Sequence, residues 1–143
     1  MFNNLQSSAD GANYYAQFRS STSYLTASSH KYSGGGNDSG ASSFSGMGAG
    51  DVSAIKVTLD GSNNTARKAK TIFIWLDNPA QTTYVTNMRW FECGLVSDGN
   101  FGWSAGGGVN DLGTPVAMDG FKLYPDSGTF VTGTLHVYGL KLS

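Results

Sequence analysis

Phe130-Val-Thr-Gly-Thr-Leu-His-Val-Tyr-Gly-Leu-Lys-Leu142, entered through the turn Tyr124-Pro-Asp-Ser-Gly128, decides the fold class of this chain. Val131, Leu135, Val137 and Leu142 mix with Thr132, Thr134 and His136 in near-alternation, which the two-residue period of a strand reads as one dry and one wetter face. A chain end frays unless pairing holds it, so this segment is expected to close a sheet in the manner of β-sandwiches and barrels.

The same period recurs upstream. Ala12 to Arg19 alternates, with Tyr14, Ala16 and Phe18 on one face and Asn13, Gln17 and Arg19 on the other. Ile55, Val57 and Leu59 share a face within Val52 to Leu59. Thr71-Ile-Phe-Ile-Trp-Leu76 is apolar on both faces and predicts a central strand covered on both sides. Thr82 to Cys93 predicts the longest strand, with Tyr84, Met88 and Trp90 opposite Val85, Phe91 and Cys93. Gly120 to Tyr124 precedes the closing strand. Residues 33–51, rich in Gly and Ser, read as a long loop, and Gly106-Gly-Gly108 as a second one.

Composition agrees with a strand-and-turn architecture. The 143 residues include 20 Gly but a single Glu, Glu92, so strong helix formers are scarce. Aromatic residues make up 13%, enough to build a core and to separate this chain from a disordered Gly/Ser polymer. The expectation is one domain over residues 1–143, an all-β antiparallel β-sandwich, jelly-roll-like, of about eight to ten short strands.

A net charge of -1 supplies no field that would gather nucleic acid or anionic lipid. The lone Cys93 cannot form an intrachain disulfide, and no stretch approaches eighteen apolar residues. The chain is expected to be made in a reducing cytoplasm, without membrane insertion.

Catalytic and metal-binding patterns are sparse. His30 and His136 are the two histidines, and no His-Glu-x-x-His or Cys-x-x-Cys spacing supports zinc. Glycoside hydrolysis needs two carboxyl groups across a sugar site, but the nine aspartates fall mostly in turns such as Asp60-Gly61 and Asp98-Gly99, where they cap local backbone. Asp38, Asp51 and Asp111 could share a Ca²⁺ with loop carbonyls, yet their spacing is not that of an EF-hand, and the turn role is preferred. Gly46-Met-Gly-Ala-Gly-Asp51 precedes a strand rather than a helix and so fails as a phosphate loop. Arg67-Lys-Ala-Lys70 reads as a solvated strand edge. No catalytic residue, metal or cofactor is expected.

Aromatic side chains are the remaining binding candidates. Trp75 and Trp90 read as core or interface residues. Phe101 and Trp103, on a glycine-rich segment, and Tyr32 are the candidate ligand-binding residues, because a flat exposed ring can stack on a sugar face.

The opening Phe2-Asn-Asn-Leu-Gln6, the segment Ala16-Gln-Phe-Arg-Ser-Ser21, Tyr24-Leu-Thr and Tyr32, and the ending Gly133-Thr-Leu-His-Val-Tyr-Gly-Leu-Lys141 resemble a β-sandwich module of tailed-bacteriophage virion proteins, including tail fibre and minor structural proteins. The resemblance spans nearly the whole chain, through turn and strand patterns rather than catalytic motifs. It implies a virion structural component of tail, fibre or head surface, commonly a homotrimer, made in the host cytoplasm. Its partners would be other virion proteins, with exposed loops available to touch a host surface; a host surface glycan is a candidate partner. A carbohydrate-binding or lectin-like module using Trp103, Phe101 and Tyr32 is the alternative. In either reading His136 and Tyr138 serve packing or subunit contact.

Overall fold

The computed structural model describes residues 1–26, 28–41, 43–61 and 69–139. Its strands are β1 (Phe2–Ser7), β2 (Tyr14–Ser20), β3 (Ser23–Tyr24), β4 (His30–Asp38), β5 (Ser45–Val52), β6 (Ile55–Lys56), β7 (Lys70–Asp77), β8 (Asn87–Leu95), β9 (Phe101–Asn110), β10 (Gly120–Pro125) and β11 (Phe130–Leu135). Nine of these have six residues or more; β3 and β6 have two each. The protein is an all-β antiparallel sandwich. A seven-stranded sheet runs β11-β1-β7-β8-β9-β4-β5, and it is faced by a smaller sheet in which β2 pairs with β10, β3 and β6.

The core lies between the sheets. Leu5, Ile72, Met88 and Trp90 of the large sheet meet Tyr14, Ala16, Phe18 and Ile55 of the small one, each 4% exposed or less. The predicted alternation of Tyr14, Ala16 and Phe18 therefore marks the buried face of β2. Phe130 turns in at the start of β11 and meets Tyr14 edge-on at 5.1 Å. A polar tie joins the layers where the Phe18 N–H donates to Nε2 of His30 at 3.4 Å, while the Tyr14 N–H donates to Thr58 Oγ1 at 2.9 Å, just beyond β6.

Several expectations are corrected. Residues 33–51 do not form a long loop: most of them build the antiparallel hairpin β4–β5, paired from His30↔Val52 to Gly36↔Ser45. Gly106 to Gly108 likewise lie inside β9, paired with Tyr32 to Gly34 of β4. Glycine here permits close backbone packing rather than a loop. A Cβ on Gly36 would collide with the Trp103 carbonyl, and one on Gly106 would run into the Trp90 indole, so only glycine fits at either point.

Strand β7 is interior in its sheet, as expected, but covered on only one side: Ile72 is buried while Trp75 is 49% exposed. The continuous apolar run predicts two dry faces, and one of them is open. The predicted strand from Thr82 begins instead at Asn87, leaving Tyr84 exposed.

The closing strand pairs with β1 as an edge, Phe2↔Leu135 to Ser7↔Phe130, but lacks the dry face its pattern predicts. Val131 and Leu135 are more than half exposed at this edge of the large sheet. Strand β11 ends at Leu135, though the His136 N–H still donates to the Met1 carbonyl at 2.8 Å; His136 and Tyr138 stack on each other at 6.5 Å. The part of the expected strand from Leu140 to Leu142 lies outside the described residues.

Lys70 departs furthest from its reading as a solvated edge charge. It is fully buried, its ammonium 3.0 Å from Glu92 Oε1 across the β7–β8 pair and 3.0 Å from the Asp60 carbonyl. Arg67 and Lys68 of the same run lie outside the described residues. Burial raises the pKa of the Glu92 carboxyl, and the neighbouring ammonium opposes that rise. Removing one partner strands a charge in the core, so Glu92→Leu is expected to cost about 3–5 kcal/mol in urea unfolding, while the double variant Lys70→Met/Glu92→Leu recovers most of it. A double variant as unstable as the single one contradicts this account.

His30 supplies a pH-dependent term. Its ring stacks on Phe18 at 5.8 Å, with Nδ1 3.2 Å from the Val52 carbonyl and Nε2 facing the Phe18 N–H. The neutral tautomer with hydrogen on Nδ1 satisfies both contacts, whereas a proton on Nε2 would confront a donor. Burial lowers the pKa from its ordinary 6.5, so the unfolded chain takes the proton first. This stabilisation is complete above about pH 6.5 and declines as pH falls through the lowered folded value. Urea midpoints measured between pH 5.5 and 7.5 should fall on the acid side, and His30→Gln should flatten that dependence; equal slopes in both proteins would refute it.

Candidate functional site

The outer face of the seven-stranded sheet carries the most distinctive chemistry. Alternation along β7, β8 and β9 directs Ile72, Met88, Trp90 and Ser104 inward, and Phe73, Trp75, Arg89, Phe91, Cys93, Phe101 and Trp103 outward. Cross-strand register sets Phe73 opposite Phe91, Trp75 opposite Arg89 and Cys93 opposite Trp103.

The rings consequently form a continuous strip. Trp75 stacks on Phe73 at 6.0 Å, Phe73 tilts against Phe91 at 6.5 Å, Phe91 stacks on Trp103 at 6.4 Å, and Trp103 meets Phe44 at 6.3 Å. Phe44 folds back from the β4–β5 turn over Gly35, where a side chain would displace it. Trp75, Phe91, Trp103 and Phe44 are 36–64% exposed, a large unburied aromatic area on one sheet face.

Beside the Trp75 end lies an open depression of about 550 Å³. Gly107 forms its floor, flanked in register by Arg89 on β8 and Ser33 on β4, with Asn87, Val109 and Lys31 in the next row. Arg89 grips Asp77 through two hydrogen bonds of 3.1 Å. Lys31 contacts Asp111 at 2.6 Å and Asp51 at 3.8 Å. That contact raises the Lys31 pKa and lowers that of Asp111, so both stay charged at neutral pH.

The outer face of the small sheet differs in character. Lys122 lies over the rings of Tyr24 and Tyr124 at 4.5 and 4.7 Å, covering aromatic surface with a hydrated cation.

Of the three residues expected to bind ligand, Phe101 and Trp103 stand on the outer face, 53% and 38% exposed, on a strand rather than a flexible loop. Tyr32 points inward and meets Trp90 edge-on at 6.4 Å; it also borders the depression. Phe73, Trp75, Phe91, Phe44, Arg89 and Asp77 were not anticipated. The signal for the first two was present in Phe73-Ile-Trp75, where aromatic residues two apart share a face. Asp51 and Asp111 converge on Lys31, while Asp38 Oδ1 accepts from the Gly40 N–H at 2.6 Å. Among the described residues, no group of three or more His, Cys, Asp or Glu is placed to hold a metal ion. The Cys93 thiol is pushed up in pKa by burial and by the nearby Glu92 charge, which suppresses the nucleophilic thiolate.

Comparison with protein-family models, with curated proteins and with solved structures finds no match for this chain.

Proposed function

We propose that this protein is a non-enzymatic adhesion and assembly component of a tailed-bacteriophage virion, in the tail, fibre or head surface, with the outer face of the seven-stranded sheet as its adhesive surface. The observation that carries the reading is the exposed aromatic strip from Trp75 to Phe44. Burying those rings inside the sandwich would have stabilised the fold, yet they stand on a rigid sheet facing solvent, an arrangement suited to gripping another surface. The virion assignment draws on the resemblance of the opening and closing segments, whose described parts are neighbours here: β1 pairs with β11, and the amino terminus donates to the His136 carbonyl at 2.7 Å.

The same reading makes the protein a homo-oligomer, with a trimer favoured. Val131, Leu135, Val137 and Tyr138, each at least 53% exposed along the β11 edge, offer the apolar surface for a second copy.

Purified protein should bind intact bacterial cells of the host range, and Trp75→Ala and Trp103→Ala should each weaken that binding roughly fivefold, as expected for losing about 1 kcal/mol of ring contact. Light scattering should give a trimer, and immunogold labelling should place the chain on particles. Absence from particles defeats the virion assignment, and undiminished cell binding by both tryptophan variants defeats the adhesive surface.

A further inference from the structure

We infer that the depression floored by Gly107 is a binding site for a neutral saccharide, one sugar unit of a surface polysaccharide whose neighbouring units lie along the aromatic strip. This rests on the outer face being the adhesive surface and names what it grips. Three observations carry it.

The first is charge. Lys31 and Arg89 are already held by Asp111, Asp51 and Asp77, so the cations at this face are outnumbered by carboxylates. An anionic polymer would have to break an ion pair and approach the remaining carboxylates, while a cationic ligand would meet the guanidinium and the ammonium. A neutral ligand incurs neither penalty.

The second is hydrogen-bonding capacity. The Arg89–Asp77 pair uses two guanidinium N–H groups and leaves others free, while the carboxylate keeps unused lone pairs, so a donor and an acceptor sit side by side on a rigid edge. Adjacent hydroxyls on a sugar ring, each able to donate and accept, match that pairing. Asn87 and the Ser33 hydroxyl extend the polar rim. A purely apolar ligand would leave these groups desolvated and unpaired.

The third is shape. Gly107 lacks a side chain between Arg89 and Ser33, and this opens the depression in an otherwise continuous sheet surface. Trp75 stands in register beside Arg89, presenting a flat ring next to the polar rim. An apolar ring face next to a convergent polar group is the combination that a saccharide, with its C–H face and hydroxyl edge, requires.

Gly107→Val is the decisive variant. A Cβ on Gly107 meets only the Met88 carbonyl, at an ordinary 3.6 Å, so the substitution raises the floor of the depression between Arg89 and Ser33 while keeping the strand and leaving the aromatic strip in place. Affinity electrophoresis and titration calorimetry would use neutral glucan, mannan and galactan, with alginate as the acidic control; circular dichroism and the melting temperature would check the fold. The expected result is binding to at least one neutral polymer, weakened roughly tenfold or more in folded Gly107→Val and in Asp77→Asn, with no preference for alginate. Undiminished binding by both variants overturns the site, as does preferential binding of alginate. Failure of every neutral polymer while intact cells are still bound overturns the saccharide assignment and spares the adhesive surface; loss of cell binding as well removes both. Self-association abolished by Gly107→Val, without saccharide binding, would assign the face to a second copy instead.

Discussion

Trp90 can fill the centre of the sandwich only because its neighbour in register on β9, Gly106, has no side chain. The indole lies across that position 2% exposed, with Tyr32 against its edge and Met88 beside it on the same strand. Close packing of this kind leaves little slack, since interiors tolerate neither extra nor missing volume without cost. The glycines of β4 and β9 let their backbones pack closely, and the seven-stranded sheet is continuous through them. With Trp90 seated inward, alternation along β8 obliges Arg89, Phe91 and Cys93 to point out. The aromatic strip is thus a consequence of how the core is filled.

Unequal sheets set the remaining exposures. A four-stranded layer does not shield the whole of a seven-stranded one: its cover reaches from β1 through β7, β8 and β9 to β4, where His30 stacks on Phe18, while apolar residues of the edge strand β11 stay in water. The buried Lys70–Glu92 pair joins two interior strands of the large sheet, with the Asp60 carbonyl against the ammonium. Such a pair adds little net stability over apolar replacements, but it penalises any misregister of β7 against β8 that would separate the charges. His30 links β4 to β2 and β5 with both ring nitrogens engaged.

Function in this reading belongs to a rigid sheet face rather than to loops. Rings held by cross-strand neighbours lose little freedom on binding, because their positions are set by register before a ligand arrives. The paired charges around Gly107 act similarly, since each cation is already oriented by its carboxylate.

Period-two patterning along the chain was sufficient to establish an all-β sandwich and the buried face of β2, because strand alternation is a local property of the backbone and is written directly in residue order. The glycine-rich setting of Phe101 and Trp103, rather than alternation, marked them as candidate contacts. Residue order could not show that the glycine-rich segments 33–51 and 106–108 are paired strands, because glycine's tolerance of close approach has meaning only when a partner backbone is beside it. Nor could it show that Phe73, Phe91 and Trp103, from three separate strands, make one strip, or that Lys70 finds Glu92. Those relations depend on register between strands distant in sequence and on which sheet face the smaller layer covers, and both are decided only when the sheets pack.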